Sequence, residues 1–340
     1  MVFFNVFFKT LGFLSAILIF LIITNILLFF TNDLQNNKFT MIDGDGNSKN
    51  IIARINLNGP IFNRNIDVFG GNFYDFINPL SVKSYLEELK KLKIKALVVN
   101  INSPGGTVSA TAELENIFSE FKKETNTKLY FFTKEVLASG GYWVATSADK
   151  IFASYGSIIG SIGVSGPSWF YYNKPMTLSS GVFGQSVETK NGIEVFNQNA
   201  GQSKDLFNPY RPPNNDEIKH LQKIVDEVYE DFVTKVSKSR KIDIEFIKHN
   251  VGALIYSSNQ ALDNFLIDDI LEYNTLITYI VNENKLEDYK IFENKTKKTF
   301  IGNFFAKYSN DIDSWSIYKN ICKNLELSVS VIIPTFYKNC

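Results

Sequence analysis

The chain has 340 residues, of which 45% are hydrophobic, so it is long enough to bury one large core and to carry appendages. Lys and Arg number 35 and balance the 35 Asp and Glu residues, which argues against a basic surface for nucleic acid. Its two cysteines, Cys322 and Cys340, lie far along the chain from either histidine. This spacing favours neither a disulfide framework nor a zinc site, and we expect neither a metal nor another cofactor.

The N-terminal segment is predicted to anchor the chain in a membrane. Residues Leu11–Phe30 are apolar except for Ser15, Thr24 and Asn25. About 20 such residues span the hydrocarbon core of a bilayer as a helix. No small-residue cleavage site follows the apolar run, so we interpret residues 1–32 as an uncleaved anchor that contacts membrane lipid.

The charges that flank the anchor predict its orientation. Lys9 precedes the apolar run, and Asp33 is the first charge after it. The positive-inside bias then places the N terminus in the cytoplasm and the rest of this single-pass chain on the outer side of the cytoplasmic membrane. Residues 33–50 are polar and predict a linker, not a calcium loop, because the later carboxylate of such a loop is missing.

From Ile51 the chain alternates strands with amphipathic helices, a pattern typical of an α/β fold with a parallel sheet. Predicted strands are Ile51–Leu57, Ala96–Ile101, Leu129–Thr133 and Lys150–Ala153, and predicted helices cover Val82–Leu92, Leu114–Phe121, a short stretch after Ser139, and Ile218–Val236. Glycine-rich turns follow the strands, at the edge where open α/β sheets bind ligands. Near the C terminus, Val329–Ile333 predicts a late strand or a docking segment.

Ser139 is the candidate nucleophile. It lies between apolar residues and the pair Gly140 and Gly141, with a predicted helix directly behind it. A strand, sharp turn and helix can expose a serine Oγ and direct backbone N–H groups at an oxyanion. The same pattern is also typical of a small-residue turn before a buried helix, so these residues alone leave both interpretations open.

A serine hydroxyl needs a base, and the histidines are poor candidates. His220 and His249 both lie among charged residues typical of a solvated surface. A lysine can serve instead when desolvation lowers its pKa from about 10.4. Lys204 stands out among the lysines because it follows a Gly-containing loop and precedes Leu206 and Phe207, although composition alone does not select it.

Four ordered motifs resemble the signal peptide peptidase A family (protease IV, family S49) of membrane-anchored Ser-Lys peptidases. They are Asn102-Ser103-Pro104-Gly105-Gly106, Ala138-Ser139-Gly140-Gly141-Tyr142, Ala148-Asp149-Lys150-Ile151 and Gly160-Ser161-Ile162-Gly163-Val164. Several motifs in a fixed order are more specific than any one of them. The similarity covers about Ile51–Leu271 and includes Gly201–Pro209.

The resemblance implies a role for each candidate residue. It places the nucleophile at Ser139, the general base at Lys204 and a supporting hydroxyl at Ser161. The implied oxyanion donors are backbone N–H groups of Gly105, Gly106 and Gly140. It further implies the spiral ββα fold that Clp-type peptidases and crotonases share, in a peptidase domain that we place at residues 51–285.

The resemblance also implies the assembly and the substrates. This chain matches the short, single-copy form, whose subunits form a ring with serine and lysine from adjacent subunits. We therefore expect Ser139 and Lys204 to lie apart within one chain, both exposed toward a groove. The implied substrates are released signal peptides and other apolar peptides. Residues 286–340 match nothing in the family and have no predicted role.

Three alternative interpretations are open at this stage. A crotonase-like acyl-CoA enzyme uses a similar oxyanion hole without a serine nucleophile, but the predicted anchor argues against it. An inactive membrane scaffold has no reason to retain both Ser139 and Lys204. A membrane peptidase of the stomatin-associated type is a more similar alternative, and a different residue pattern around its nucleophile distinguishes it from this family.

Overall fold

The computed structural model describes residues 2–33, 38–63, 76–173, 177–180, 185–188, 191–196, 198–294 and 330–332. The helices are α1 Val2–Asp33, α2 Pro79–Leu92, α3 Val108–Thr125, α4 Gly140–Ala145, α5 Asn215–Arg240, α6 Ile244–Phe246, α7 Ser258–Asp263 and α8 Tyr273–Glu283, with a π-helical turn at Ile247–Val251. The strands are β1 Phe39–Gly44, β2 Ile51–Asn58, β3 Ala96–Asn102, β4 Gly105–Thr107, β5 Lys128–Thr133, β6 Val136–Ala138, β7 Lys150–Ala153, β8 Ile158–Gly160, β9 Thr177–Ser180, β10 Gln185–Glu188, β11 Ile255–Ser257, β12 Asp269–Ile270, β13 Lys290–Asn294 and β14 Ser330–Ile332.

A seven-stranded sheet forms the centre of the fold, in the order β1-β13-β2-β3-β5-β7-β12. The pairs from β13 through β12 are parallel. Strand β5 is buried at every position after Lys128, as expected for a parallel sheet covered on both faces. The predicted α/β class is confirmed, while the spiral arrangement stays a prediction.

Helices α2 and α3 pack against each other, and each buries one apolar stripe. Helix α2 begins at Pro79, and the Asn78 side chain accepts hydrogen bonds from the amides of Leu80 and Ser81. The helix ends at Lys93, which has a left-handed backbone conformation. These local signals fix where the chain turns back to enter β3.

A second, three-stranded sheet carries the candidate nucleophile. Strands β6 and β8 pair in parallel, with Ala138 opposite Gly160, and β11 pairs antiparallel with β8. A bridge between Ser103 and Leu137 joins the end of β3 to this sheet. The sequence analysis did not predict this sheet, and it places the residues after β6 and β8 side by side.

Strands of the central sheet lie outside the predicted domain range 51–285, and the domain boundaries stay predictions. The segment 33–50, predicted as a linker, contributes edge strand β1 to the central sheet. Strand β13, which lies beyond the predicted domain end at residue 285, pairs in parallel with β2, and its Glu293 forms an ion pair with Arg54. Farther along the chain, β9 and β10 pair antiparallel with each other.

The N-terminal unit, residues 1–40, consists mainly of helix α1. Among the described residues, one helical segment, Phe3–Leu21, is long enough and apolar enough to cross a membrane. It starts closer to the N terminus than the predicted run Leu11–Phe30. Length and composition alone support the span, and a signal sequence passes the same test.

Candidate active site

Ser139 occupies a strained turn between β6 and α4. Its backbone has φ 54° and ψ −122°, a conformation that residues with a side chain rarely adopt. Both backbone groups of Ser139 are hydrogen-bonded: its N–H donates to the Gly160 carbonyl at 2.8 Å, and its carbonyl accepts from the Trp143 N–H at 2.9 Å. Strain of this kind persists only when the surroundings hold it, and it concentrates at functional sites.

The Ser139 hydroxyl is buried and unpartnered. The residue has 0% of its surface exposed, and its Oγ has no hydrogen-bond partner among the described residues. An unpaired buried hydroxyl costs about 1–3 kcal/mol. Ser139 was expected to be exposed, and that prediction is wrong, because α4 packs against β4, β6 and β14 around the turn. Lys204 is not hydrogen-bonded to Ser139 within one chain, as expected.

The motif that begins at Asn102 is bound to the strand that carries Ser139. The Ser103 N–H donates to the Val136 carbonyl at 2.7 Å, and the Ser103 carbonyl accepts from the Ala138 N–H at 3.1 Å. A Cβ added at Gly141 would lie 3.0 Å from the Ser103 Cβ, so the start of α4 needs glycine for this close approach. The glycines of the motif are thereby held next to the nucleophile turn.

The predicted oxyanion donors are not equivalent. The Gly105 N–H already donates to the Ser103 Oγ at 3.2 Å. Backbone hydrogen bonds join Gly105 and Thr107 to Ile61, so the alternation of a strand directs the N–H and carbonyl of Gly106 to the opposite edge of β4. Gly140 begins α4, where N–H groups have no acceptor inside the helix. Gly106 directs its N–H to the β4 edge at which β14 pairs, and Gly140 lies at the start of α4, so neither N–H is used by Ser103 or Ile61.

Asn102 has a positioning role that the sequence analysis missed. Its Oδ1 accepts hydrogen bonds from the Thr133 hydroxyl at 3.0 Å and from the amides of Lys134 and Glu135 at 3.2 and 3.0 Å. One side chain thus holds the turn between β5 and β6. The motif itself was visible in the sequence, but nothing in it showed which turn Asn102 contacts.

Ser161 lies beside the nucleophile turn, where the resemblance predicts a supporting hydroxyl. It follows Gly160, the register partner of Ala138, so Ser139 and Ser161 emerge from neighbouring strands. Ser161 is 3% exposed and has a positive φ of 53°, and its N–H donates to the Leu254 carbonyl at 2.7 Å. Both serines therefore follow strands of the second sheet with a positive φ.

Lys204 lies in an irregular turn before α5 and is exposed in the single chain. Arg211 holds this turn by pairing with both Asp205, at 2.6 and 2.8 Å, and Glu217, at 2.9 and 2.7 Å. The paired guanidinium lowers the pKa of each of these carboxyl groups to about 2. The residue next to Lys204 is therefore bound to the first turn of α5.

Helix α5 connects the Lys204 turn with the nucleophile helix. Glu217 closes a capping box with Asn214 at the start of α5. Farther along the helix, the Phe232 ring stacks on Trp143 of α4, with ring centroids 4.9 Å apart. Helix α5 therefore contacts the Lys204 turn at its N-terminal end and, farther along, the helix that follows Ser139.

The two histidines are surface residues. His220 is exposed on α5, and the exposed His249 Nε2 lies 3.1 Å from the Glu245 carboxylate. Neither ring contacts the Ser139 hydroxyl, so this chain contains no Ser-His pair at that turn among its described residues.

Comparison with known proteins identifies the class. The model for peptidase family S49 matches residues 121–287, which include Ser139, Ser161 and Lys204. A putative signal peptide peptidase SppA of Enterococcus faecium is 29% identical over 295 residues, or 85% of this chain and 79% of the relative. A putative protease of Methanocaldococcus jannaschii is 31% identical over 229 residues, or 61% of this chain and 69% of the relative.

Among solved structures, a membrane-bound stomatin-specific protease with a bound substrate peptide matches 77% of this chain and 98% of its own. Its sequence identity is 12% and its TM-score 0.44, values too low to support any conclusion. The sequence matches define a serine-type peptidase. The chain belongs to peptidase family S49.

Proposed function

We propose that this protein is a membrane-anchored serine endopeptidase that cleaves released signal peptides and other apolar peptides with a Ser139-Lys204 dyad. The observation that carries the proposal is the Ser139 turn, in which a strained backbone holds a buried hydroxyl without a partner. The strained backbone and the unpaired hydroxyl each cost free energy of folding. A catalytic role for Ser139 explains why both features occur at this one residue.

In the proposed reaction the Ser139 Oγ attacks the peptide carbonyl carbon while the neutral Lys204 amine takes the hydroxyl proton. The N–H groups of Gly106 and Gly140 donate to the oxygen that becomes negatively charged. Lys204 returns the proton to the leaving amine as the C–N bond breaks, which leaves an ester on Ser139. Water then attacks the ester with Lys204 again as base, and Ser139 and the second product are released.

The base is proposed to come from a neighbouring copy of the chain. A lysine acts as a base only as its neutral amine, which requires surroundings that remove water from it. Lys204 is exposed in the single chain and does not bond to Ser139, whose hydroxyl is buried. A head-to-tail contact that repeats around a closed ring would cover Lys204 and bring it to the next subunit's Ser139.

The substrate is proposed to bind as an extended strand along β4. Gly106 presents its N–H and carbonyl to that edge, which can pair with a peptide backbone regardless of its sequence. Helix α1 would hold the site at the membrane surface, where apolar peptides are released. Backbone pairing and this location together favour apolar peptides over a defined sequence motif.

Cleavage of a fluorogenic apolar peptide by the full-length protein in detergent tests the proposal. Ser139→Ala and Lys204→Ala should each reduce the rate by several orders of magnitude, because each removes a group that acts with the other as a unit. Ser154→Ala is the matched serine control, since the Ser154 hydroxyl is also buried and unpartnered among the described residues. Lys219→Ala, on the exposed face of α5, is the lysine control.

A fluorophosphonate probe separates the proposal from a scaffold without chemistry. Wild-type protein should be labelled on Ser139 alone, and Ser139→Ala should not be labelled. Normal cleavage by either dyad variant would contradict the assignment. Absence of both cleavage and labelling in wild-type protein would favour the inactive scaffold.

A further inference from the structure

Two carboxylates belong to the turn that carries the candidate base, and both pair with a cation other than the base. Asp205 follows Lys204 directly along the chain, and Glu217 lies in the first turn of α5, to which this turn is bound. Both carboxylates form their ion pairs with Arg211, while the Lys204 side chain is exposed. Arg211 thus occupies the carboxylates that could otherwise pair with the base.

The Arg211 guanidinium engages all four oxygens of these carboxylates. Its Nε and Nη2 donate to the two oxygens of Asp205 at 2.6 and 2.8 Å. Its Nη1 and Nη2 donate to the two oxygens of Glu217 at 2.9 and 2.7 Å. A planar guanidinium can bind two carboxylates in this forked geometry, whereas a lysine ammonium acts as a single point of charge. The arrangement therefore favours Arg211 over Lys204 as the partner of both groups.

A neighbouring segment supports Arg211 in this position. The guanidinium lies 5.1 Å from the centre of the Trp169 ring, within the range of a cation–π contact. The Trp169 Nε1 donates to the Asn208 carbonyl at 3.1 Å, so this ring is bound to the same turn. The Arg211 Nη1 also donates to the Pro212 carbonyl at 3.1 Å. Arg211 is consequently held from two sides of the turn.

The other ionisable groups near Lys204 lie on three elements. The turn itself carries Asp205, Tyr210 and Arg211, and the start of α5 adds Asp216, Glu217, Lys219 and His220. The segment around Trp169 adds the phenols of Tyr171 and Tyr172 and no charged side chain. Among the carboxylates of this set, Asp205 and Glu217 bind Arg211, and Asp216 is exposed.

We propose that Arg211 is a positioning residue that keeps Asp205 and Glu217 from pairing with the Lys204 amine. The proposal rests on the function proposed above, in which Lys204 takes a proton as a neutral amine. A carboxylate beside an amine favours the charged ammonium form, which cannot accept a proton. By engaging all four carboxylate oxygens, Arg211 leaves the amine available to the next subunit's Ser139.

The pH dependence of peptide cleavage by the full-length protein tests this role. In Arg211→Met the Asp205 carboxylate is released beside Lys204, so the pH at which kcat is half-maximal should rise by about 1–3 units. Near neutral pH, kcat should fall about tenfold or more and should recover in alkaline buffer, with KM little changed. Arg240→Met removes an ion pair at the opposite end of α5 and is the matched control, which should keep the wild-type profile.

A second substitution separates this electrostatic role from a general loss of structure. In the Arg211→Met background, Asp205→Asn removes the released carboxylate, so the profile should move back toward that of wild type. Asp216→Asn in the same background is the control, because Asp216 is exposed and does not bind Arg211. If Arg211→Met keeps the wild-type midpoint, or if both double variants recover equally, the proposal is overturned.

Acetylation of the Lys204 amine provides a readout that does not require activity. Acetic anhydride reacts with neutral amines, and mass spectrometry can compare Lys204 with Lys123, an exposed lysine on α3, across a range of pH. In Arg211→Met the Lys204 curve should move to higher pH while the Lys123 curve stays in place. If this shift occurs and no form of the protein cleaves peptide, the proposed peptidase function fails and the role of Arg211 stands. If the Lys204 curve does not move, the role of Arg211 is overturned, whatever the cleavage rates.

Discussion

The amide of Ser139 donates to the carbonyl of Gly160 at 2.8 Å, and this bond fixes the candidate nucleophile to the neighbouring strand. Gly160 has a positive φ of 117°, and a Cβ at this position would lie 2.7 Å from the Leu254 carbonyl oxygen. Glycine is therefore required both by the backbone conformation and by the space available.

Gly160→Ala should destabilise the fold and abolish peptidase activity. The backbone conformation alone costs about 1–3 kcal/mol for a residue with a Cβ, and the contact with Leu254 adds to this cost. Thermal unfolding and peptide cleavage measure the two effects. Gly46→Ala is the control, because a Cβ there would meet only the Met41 sulfur at 3.9 Å. Equal melting temperatures for the two variants would contradict the argument.

Asn102→Ala should loosen the turn that leads to the nucleophile strand. It removes the acceptor used by the Thr133 hydroxyl and by the amides of Lys134 and Glu135. Because Thr133 is buried, we expect a loss of about 1–3 kcal/mol in the free energy of unfolding, together with lower kcat. Chemical denaturation measures the first quantity. Asn102→Asp keeps the acceptor oxygen and should lose less on both measures.

The central sheet and the Ser139 turn could be predicted from the sequence because their signals are local. Strands such as β3 and β5 are continuous apolar runs, and helices α2, α3 and α5 show clear helical periodicity. Ser139 is marked by its two following glycines. In each case the residues that form the structure are neighbours along the chain.

The second sheet could not be predicted because its strands are three residues long, too short to show a period of two. Strand β13 contains Lys, Glu and Asn and looks like solvated surface, yet it pairs with β2. The ion pairs of Arg211 could not be predicted either, since a spacing of six residues between charged side chains matches no helix or strand period. All three features depend on contacts made only in the folded chain.

Acid should release the turn that carries Lys204. Arg211 lowers the pKa of Asp205 and Glu217 to about 2, from usual values near 4. Because the folded-state pKa values are depressed, this stabilisation is complete above about pH 4.5 and is lost as the pH falls toward 2. Trp169 reports the change, since its ring lies 5.1 Å from the Arg211 guanidinium and 5.4 Å from Phe207.

The expected result is a transition in Trp169 fluorescence between pH 4.5 and 2 in wild-type protein. Trp169→Phe identifies the Trp169 contribution by subtraction. In Arg211→Met the carboxylates lose their partner, so the transition should move to higher pH. A transition at the same pH in wild type and Arg211→Met would exclude this ion-pair network as its cause.

Mixing inactive variants should restore activity if serine and lysine come from different subunits. Ser139→Ala chains retain Lys204, and Lys204→Ala chains retain Ser139, so a mixed ring contains interfaces at which both groups are present. In a random equal mixture about one interface in four combines an intact serine with an intact lysine, which predicts recovery to about a quarter of wild-type activity. Each variant measured alone should stay inactive. Subunit exchange is verified with two affinity tags, and absence of recovery in exchanged assemblies would place the dyad within one chain.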